Sequence, residues 1–275
     1  MKKTACVLLV LALLSACATS PTGRRQLMLV SEKDAIAASR QQYLQTMGKL
    51  SSEGKLVTDQ KILKRVDTIT GRLISQAIIM RPATGSWEWS VQVIDDPKTV
   101  NAWCMAGGRM AIYTGLIQKI DPTDDELAQV MGHEISHALA DHTRERMSVA
   151  YGTGIGAQVL SIAIGAGDAG AQLMQQAALY AIQLPNSRES ESEADQIGIE
   201  LAARAGFDPA AAVTLWNKMG KLGGTPAEFM STHPSPEHRA ARLRELGVKM
   251  QPLYDSARAN PVVAPRVVNA AGTAR

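Results

Sequence analysis

His133, Glu134 and His137 interrupt a segment that is otherwise almost wholly apolar, and this limits what the chain can fold into. Thr123-Asp124-Asp125-Glu126, with Pro122 before it, has the form of a capping box at the start of a helix. The helix that follows carries Leu127, Val130, Met131, Ile135, Ala138 and Leu139, which wrap most of its circumference. Such a helix belongs in a core. Two imidazoles and a carboxyl group buried with it are costly unless the fold supplies partners.

The pattern His133-Glu134-Ile135-Ser136-His137 suggests what the partner is. Residues four apart lie on one helix face, so His133 and His137 can offer two ring nitrogens to one metal ion. Zinc suits these donors best, one ion per chain, and Glu134 is placed to act as general base toward water in amide hydrolysis. The metzincin extension is missing, because Ala140 and Thr143 stand where it needs glycine and histidine. His142 is off that spacing and is read as a solvated residue near the helix end.

A catalytic zinc site takes three protein ligands. The acidic run Glu189, Glu191, Glu193, Asp195 opens a second helix after Pro185-Asn186-Ser187 that runs to about Arg204. Glu191 and Asp195 share a face, whereas Glu193 lies about 200 degrees round from it. A metal-bound histidine needs its other ring nitrogen held by a carboxylate or carbonyl. Glu191 as ligand with Asp195 as its outer partner meets both needs, so Glu191 is preferred and Glu193 is the alternative.

With these residues on the page, the chain resembles the M48 family of zinc metallopeptidases. The likeness rests on His133-Glu134-x-x-His137 and on Glu191-Ser192-Glu193-Ala194-Asp195-Gln196-Ile197-Gly198. It extends through Asn101-Ala102-Trp103-Cys104-Met105-Ala106-Gly107-Gly108-Arg109 and Gly206-Phe207-Asp208-Pro209 to Thr232-His233-Pro234-Ser235-Pro236-Glu237-His238-Arg239. The resemblance implies Glu191 as ligand with Asp195 beside it, in a zincin-like (gluzincin) peptidase domain. It also implies substrate contact near Asn101, Ala102, Gly107 and Gly108, and a place near the metal for His233, as oxyanion stabiliser or regulatory ligand, with Arg239 in support. Family members in bacterial envelopes act on misfolded or unassembled membrane proteins, and the mitochondrial quality-control protease is a distant relative.

The expected fold is α+β and mainly helical, with a small sheet packed against the zinc helix. Trp87, Trp89, Val91 and Val93 alternate with Glu88, Ser90 and Gln92, the pattern of a half-buried strand. Asn101–Ala106 and Arg109–Thr114 read as two more strands, and Ser31–Met47 and Asp59–Met80 as helices. Val149–Gly167 is uncharged but rich in glycine, and is read as a mobile lid or as part of a helical hairpin, roughly Ala157–Ile164 and Gly170–Gln183, not as a membrane span.

Lys2 and Lys3 precede the short apolar run Val7–Leu14, and Leu14-Ser15-Ala16-Cys17 resembles a bacterial lipoprotein signal. The expected organisation is a signal peptide over 1–16, a lipid-anchored linker over 17–30 with Cys17 acylated, a peptidase domain over 31–248, and an extended or disordered tail over 249–275. Arg24 and Arg25 are read as headgroup contacts. Ala18 favours the outer membrane, facing the periplasm. Cys104 is then the one remaining free thiol. A net charge of +3 with no basic block excludes nucleic acid as a partner.

The predicted activity is a zinc endopeptidase of the cell envelope acting on unfolded or misassembled envelope proteins. The rivals are an outer-membrane assembly factor with a structural zinc and an amidase of cell-wall peptides. Oligomeric state is not legible in the sequence.

Overall fold

The computed structural model describes residues 17–162, 185–221, 231–233 and 239–261. The zinc-motif helix, α4 (Asp124–Leu139), lies at the centre. Thr123 starts it as expected: its hydroxyl accepts from Glu126 N at 3.2 Å, and the Glu126 carboxylate accepts from Thr123 N at 2.8 Å. Every residue from Glu126 to Leu139 is buried. Around α4 pack α2 (Gln60–Met80), α6 (Arg188–Arg204) and α7 (Ala211–Gly220), with strand β4 (Ala102–Cys104) against it. The main core joins Leu127, Met131 and Ile135 of α4 to Leu73 and Ile74 of α2 and to Leu201 of α6.

The three-stranded sheet has the order β3-β5-β4, with β3 at Ser90–Ile94 and β5 at Arg109–Tyr113. β3 runs parallel to β5, and β4 runs antiparallel to it in the register Ala102↔Ile112, Cys104↔Met110. Among the described residues, strand β4 is therefore an edge. Gly107 and Gly108 turn the chain between β4 and β5 at φ of 86° and 80°, which a side chain would strain.

The expected half-burial of β3 is corrected: all five of its residues are buried. Helix α1 (Glu32–Ser52) covers the face that the alternation assigned to solvent. Its Tyr43 and Met47 pack on Ile94 and Ala111, and the Tyr43 hydroxyl donates to Met110 O at 3.1 Å.

Three further expectations change. Residues 17–30 are not a free linker, because β1 (Cys17–Thr19) and β2 (Arg25–Leu27) form an antiparallel hairpin. Gln26 ties it to the end of α4, donating to Ala140 O at 2.8 Å. The chain after 249 is not extended at first: α8 runs unbroken from Arg239 to Ala259 through Pro252. The separate helix expected from Ala157 is the end of α5, which runs from His142 to Ile162. The second helix of that hairpin, and the lid reading beyond Ile162, lie outside the described residues, as do the signal segment and the tail after 261. Among the described residues no helix is long and apolar enough to cross a membrane. The short helix α3 (Thr114–Ile120) links the sheet to α4.

Candidate active site

The site exists because α4 and α6 cross with almost no side chain between them. A Cβ added to Gly198 would lie 2.9 Å from His133 N and 3.1 Å from Gly132 C. One added to Gly132 would lie 3.0 Å from Gly198 O. This close approach sets Glu191, two turns before Gly198 on α6, over the histidine face of α4.

Four donors then converge: His133, His137, Glu191 and His233 each offer one ligand atom within 4.8 Å of the others. His133 Nε2 and His137 Nε2 are 3.1 Å apart, His137 Nε2 and Glu191 Oε1 3.4 Å, and His233 Nδ1 and Glu191 Oε1 2.9 Å. His133 Nε2 and His233 Nδ1 are 3.3 Å apart. Bonds of about 2.0–2.1 Å to a tetrahedral zinc imply edges of about 3.3 Å between donors. The spacing fits a zinc ion held by these residues. Buried oxygens support the fit, since among the described residues no hydrogen bond reaches Glu191 Oε2 or Glu134 Oε1.

Charge points the same way. Burial disfavours a charged His133, but Glu191 and Asp195 overcome it and lift that imidazole to about 10. Burial also works against the Glu191 anion, yet the His133 and His233 imidazoles hold it far below the usual carboxylate range. The carboxylates of Glu191 and Asp195 thus favour positive charge in this pocket. His137 is shifted the other way: burial, only partly offset by Glu191, keeps it neutral, the form a metal binds.

The structure brings Asp195 to His133, with Oδ1 3.1 Å from Nδ1, so the His133 ring is held from behind while its Nε2 faces the cluster. Arg239 Nη2 donates to the same Asp195 oxygen at 2.6 Å and stacks over Trp216 at 3.5 Å. Arg239 thus supports Asp195 and Glu191, in place of the support for His233 that the sequence suggested. His233 itself stands at the fourth corner, with Asn186 Nδ2 3.2 Å from its Nδ1.

Glu134 is buried beside the cluster, with Oε1 3.5 Å from His233 Nε2. Burial lifts its carboxyl above the ordinary range, although His233 and His133 oppose the shift. A base raised toward neutrality accepts a proton more readily. Glu134 and His137 line a cleft whose far wall is edge strand β4 with Asn101, closed by Thr143, Arg146 and Asn186. Asn101 and Ala102 therefore border the cleft, and the Asn101 side chain accepts from Ala102 N at 2.9 Å. Gly107 and Gly108 do not line it: they abut Ile36 and Trp89, and their part is the turn. Cys104 is a buried free thiol on the cleft wall, pushed up by burial and by Glu134.

Two residues that the sequence discounted belong to the site. His142 is buried, 1% exposed, not solvated, and its Nδ1 is 2.8 Å from His137 Nδ1. Glu193 is no ligand to the cluster; its Oε2 lies 3.1 Å from His142 Nε2. Arg146, partly buried, lines the cleft with Glu134. Arg146 could not be found from sequence, because no spacing ties it to the zinc motif.

A model of peptidase family M48 matches residues 62–247. The mitochondrial metalloendopeptidase OMA1 of Arabidopsis thaliana is 34% identical over 206 residues, covering 74% of this chain and 40% of the relative. That of Schizosaccharomyces pombe is 33% identical over 189 residues, 67% of this chain and 51% of the relative. The β-barrel assembly-enhancing protease of Escherichia coli is 27% identical over 214 residues, 74% of this chain and 42% of the relative. The chain spans half or less of the length of most of these relatives.

Proposed function

The chain belongs to peptidase family M48, and on that premise we propose that it is a zinc-dependent endopeptidase of the bacterial cell envelope, hydrolysing peptide bonds in unfolded or misassembled envelope proteins. The observation that carries the reading is the meeting of His133, His137 and Glu191 at tetrahedral spacing with a buried Glu134 beside them. Zinc held by those three residues supplies a Lewis acid for the scissile carbonyl. Glu134 takes the proton from the attacking water and returns it to the leaving amine. Edge strand β4 borders the same cleft, and its outer backbone groups can pair with an extended peptide. Folded proteins rarely offer such a segment, which favours unfolded substrates. The lipoprotein-like Leu14-Ser15-Ala16-Cys17 supports a lipid anchor on Cys17, at the periplasmic face of the outer membrane.

His233 favours a second reading. It stands at the corner that a catalytic site leaves open, so His133, His137, Glu191 and His233 would together hold an ion as in a structural site. On that reading the chain is an assembly factor. Glu134→Gln separates the two. Loss of cleavage of an unfolded substrate, with zinc retained, supports the peptidase; unchanged cleavage overturns it.

A further inference from the structure

Each histidine of the zinc motif is held from behind, but by different means. His133 meets a carboxylate directly, and an arginine holds that carboxylate. Behind His137 the same order recurs with one imidazole inserted. His137 Nδ1 faces His142 Nδ1 at 2.8 Å, and His142 Nε2 faces Glu193 Oε2 at 3.1 Å. Arg24 Nε then donates to Glu193 Oε2 at 3.0 Å, and the Thr22 hydroxyl donates to Glu193 Oε1 at 2.7 Å. Thr22 and Arg24 belong to the N-terminal hairpin, far from Glu193 in sequence.

The hydrogens can be placed in one way that serves a metal. If His137 binds through Nε2, its Nδ1 carries hydrogen and donates. His142 Nδ1 must then accept, so its Nε2 carries hydrogen and donates to Glu193. The carboxylate of Glu193 then ends the chain of contacts, with Thr22 and Arg24 donating to it from the other side.

From this chain of contacts we infer that His142 and Glu193 are positioning residues for the metal ligand His137, and that the N-terminal hairpin, through Thr22 and Arg24, is part of the support of the metal site. The inference rests on the zinc reading but not on peptidase activity, so zinc affinity is its measure. Outer partners of this kind are worth about 10–100-fold in metal affinity.

The experiment is chelator competition for zinc on the full chain, with absorption spectra of the cobalt-substituted protein. His142→Ala and Glu193→Ala are expected to weaken zinc binding about 10–100-fold and to shift the cobalt bands, which report the ligand field of His137. Arg24→Gln, on the hairpin, is expected to weaken binding less than about tenfold. Arg25→Gln, exposed on the next residue, is the unchanged control. Should His142→Ala fail to fold, Arg24→Gln still carries the test. Wild-type affinity and unchanged cobalt bands in the folded variants overturn the inference and leave the peptidase reading standing. A zinc-loaded wild type that cleaves no unfolded protein sinks the peptidase reading and leaves this one standing.

Discussion

Gly198→Ala should loosen the metal site from a position that touches no ligand side chain. The added methyl would sit 2.9 Å from His133 N and 3.0 Å from His133 Cα. Both are backbone atoms in the middle of a buried helix, so neither can swing aside. Restoring an ordinary contact needs α4 and α6 to part by about 0.5 Å or more. Overpacking of this kind costs about 1–3 kcal/mol, and alanine's better helix propensity returns up to about 1 kcal/mol. A net loss of about 1–2 kcal/mol lowers the melting temperature by about 2–8 °C. Donor separations of 2.9–3.4 Å cannot absorb such a shift without lengthening a metal bond, so zinc affinity should fall about tenfold or more. Gly48→Ala is the matched control. It lies in helix α1 with nothing within 4 Å of the new methyl, so the same change should stabilise by about 0.4–1 kcal/mol. Calorimetry and zinc titration of both variants test the reasoning. A Gly198→Ala protein that melts and binds zinc like the wild type would refute it.

Glu134→Gln should cut peptidase turnover about 10²–10⁴-fold while zinc content by mass spectrometry stays at one per chain. His233→Ala frees the fourth corner, so turnover on an unfolded substrate should rise while zinc binding weakens; a fall in turnover would show that His233 assists the reaction instead. Glu126→Gln keeps the helix cap but loses the ion pair with Lys218, at 2.6 Å, for about 1 kcal/mol. Burial raises the Glu126 carboxyl, but Lys218, Thr123 and Thr214 outweigh it and leave it lowered. The pair's contribution is therefore present at neutral pH and lost as pH falls below the ordinary glutamate range. The wild type and Glu126→Gln should differ in urea unfolding at pH 7 and converge in acid.

The parts of the site that were legible in the sequence are those that one helical period can report. His133 and His137 are four apart, as are Glu191 and Asp195 on α6, and the capping box fixes where the helix of the two histidines starts. His142 escapes that rule because it is not on the same helix as His137. Asp141 stands between them at φ 57°, a left-handed turn that ends α4 and sends the chain back, so His142 opens α5 pointing at the ligand it had just left. No spacing encodes that return. Arg24 is harder still, since its partner Glu193 lies 169 residues away and only the docked hairpin brings them together. The end of α8 shows packing overriding local signals. Pro252 removes a helix hydrogen bond, yet it lies on the exposed side, where water can take the freed carbonyl. The helix continues because Ala257 is buried beside Gly206, where φ of 77° turns the chain out of α6. A proline read from sequence argues against a helix, and a buried face one turn later can outweigh it. The same logic explains Glu193. On its own helix it points away from the ligand face, which is why it is not a ligand. Pointing away from Glu191 carries it toward His142, and so toward the outer side of the metal site.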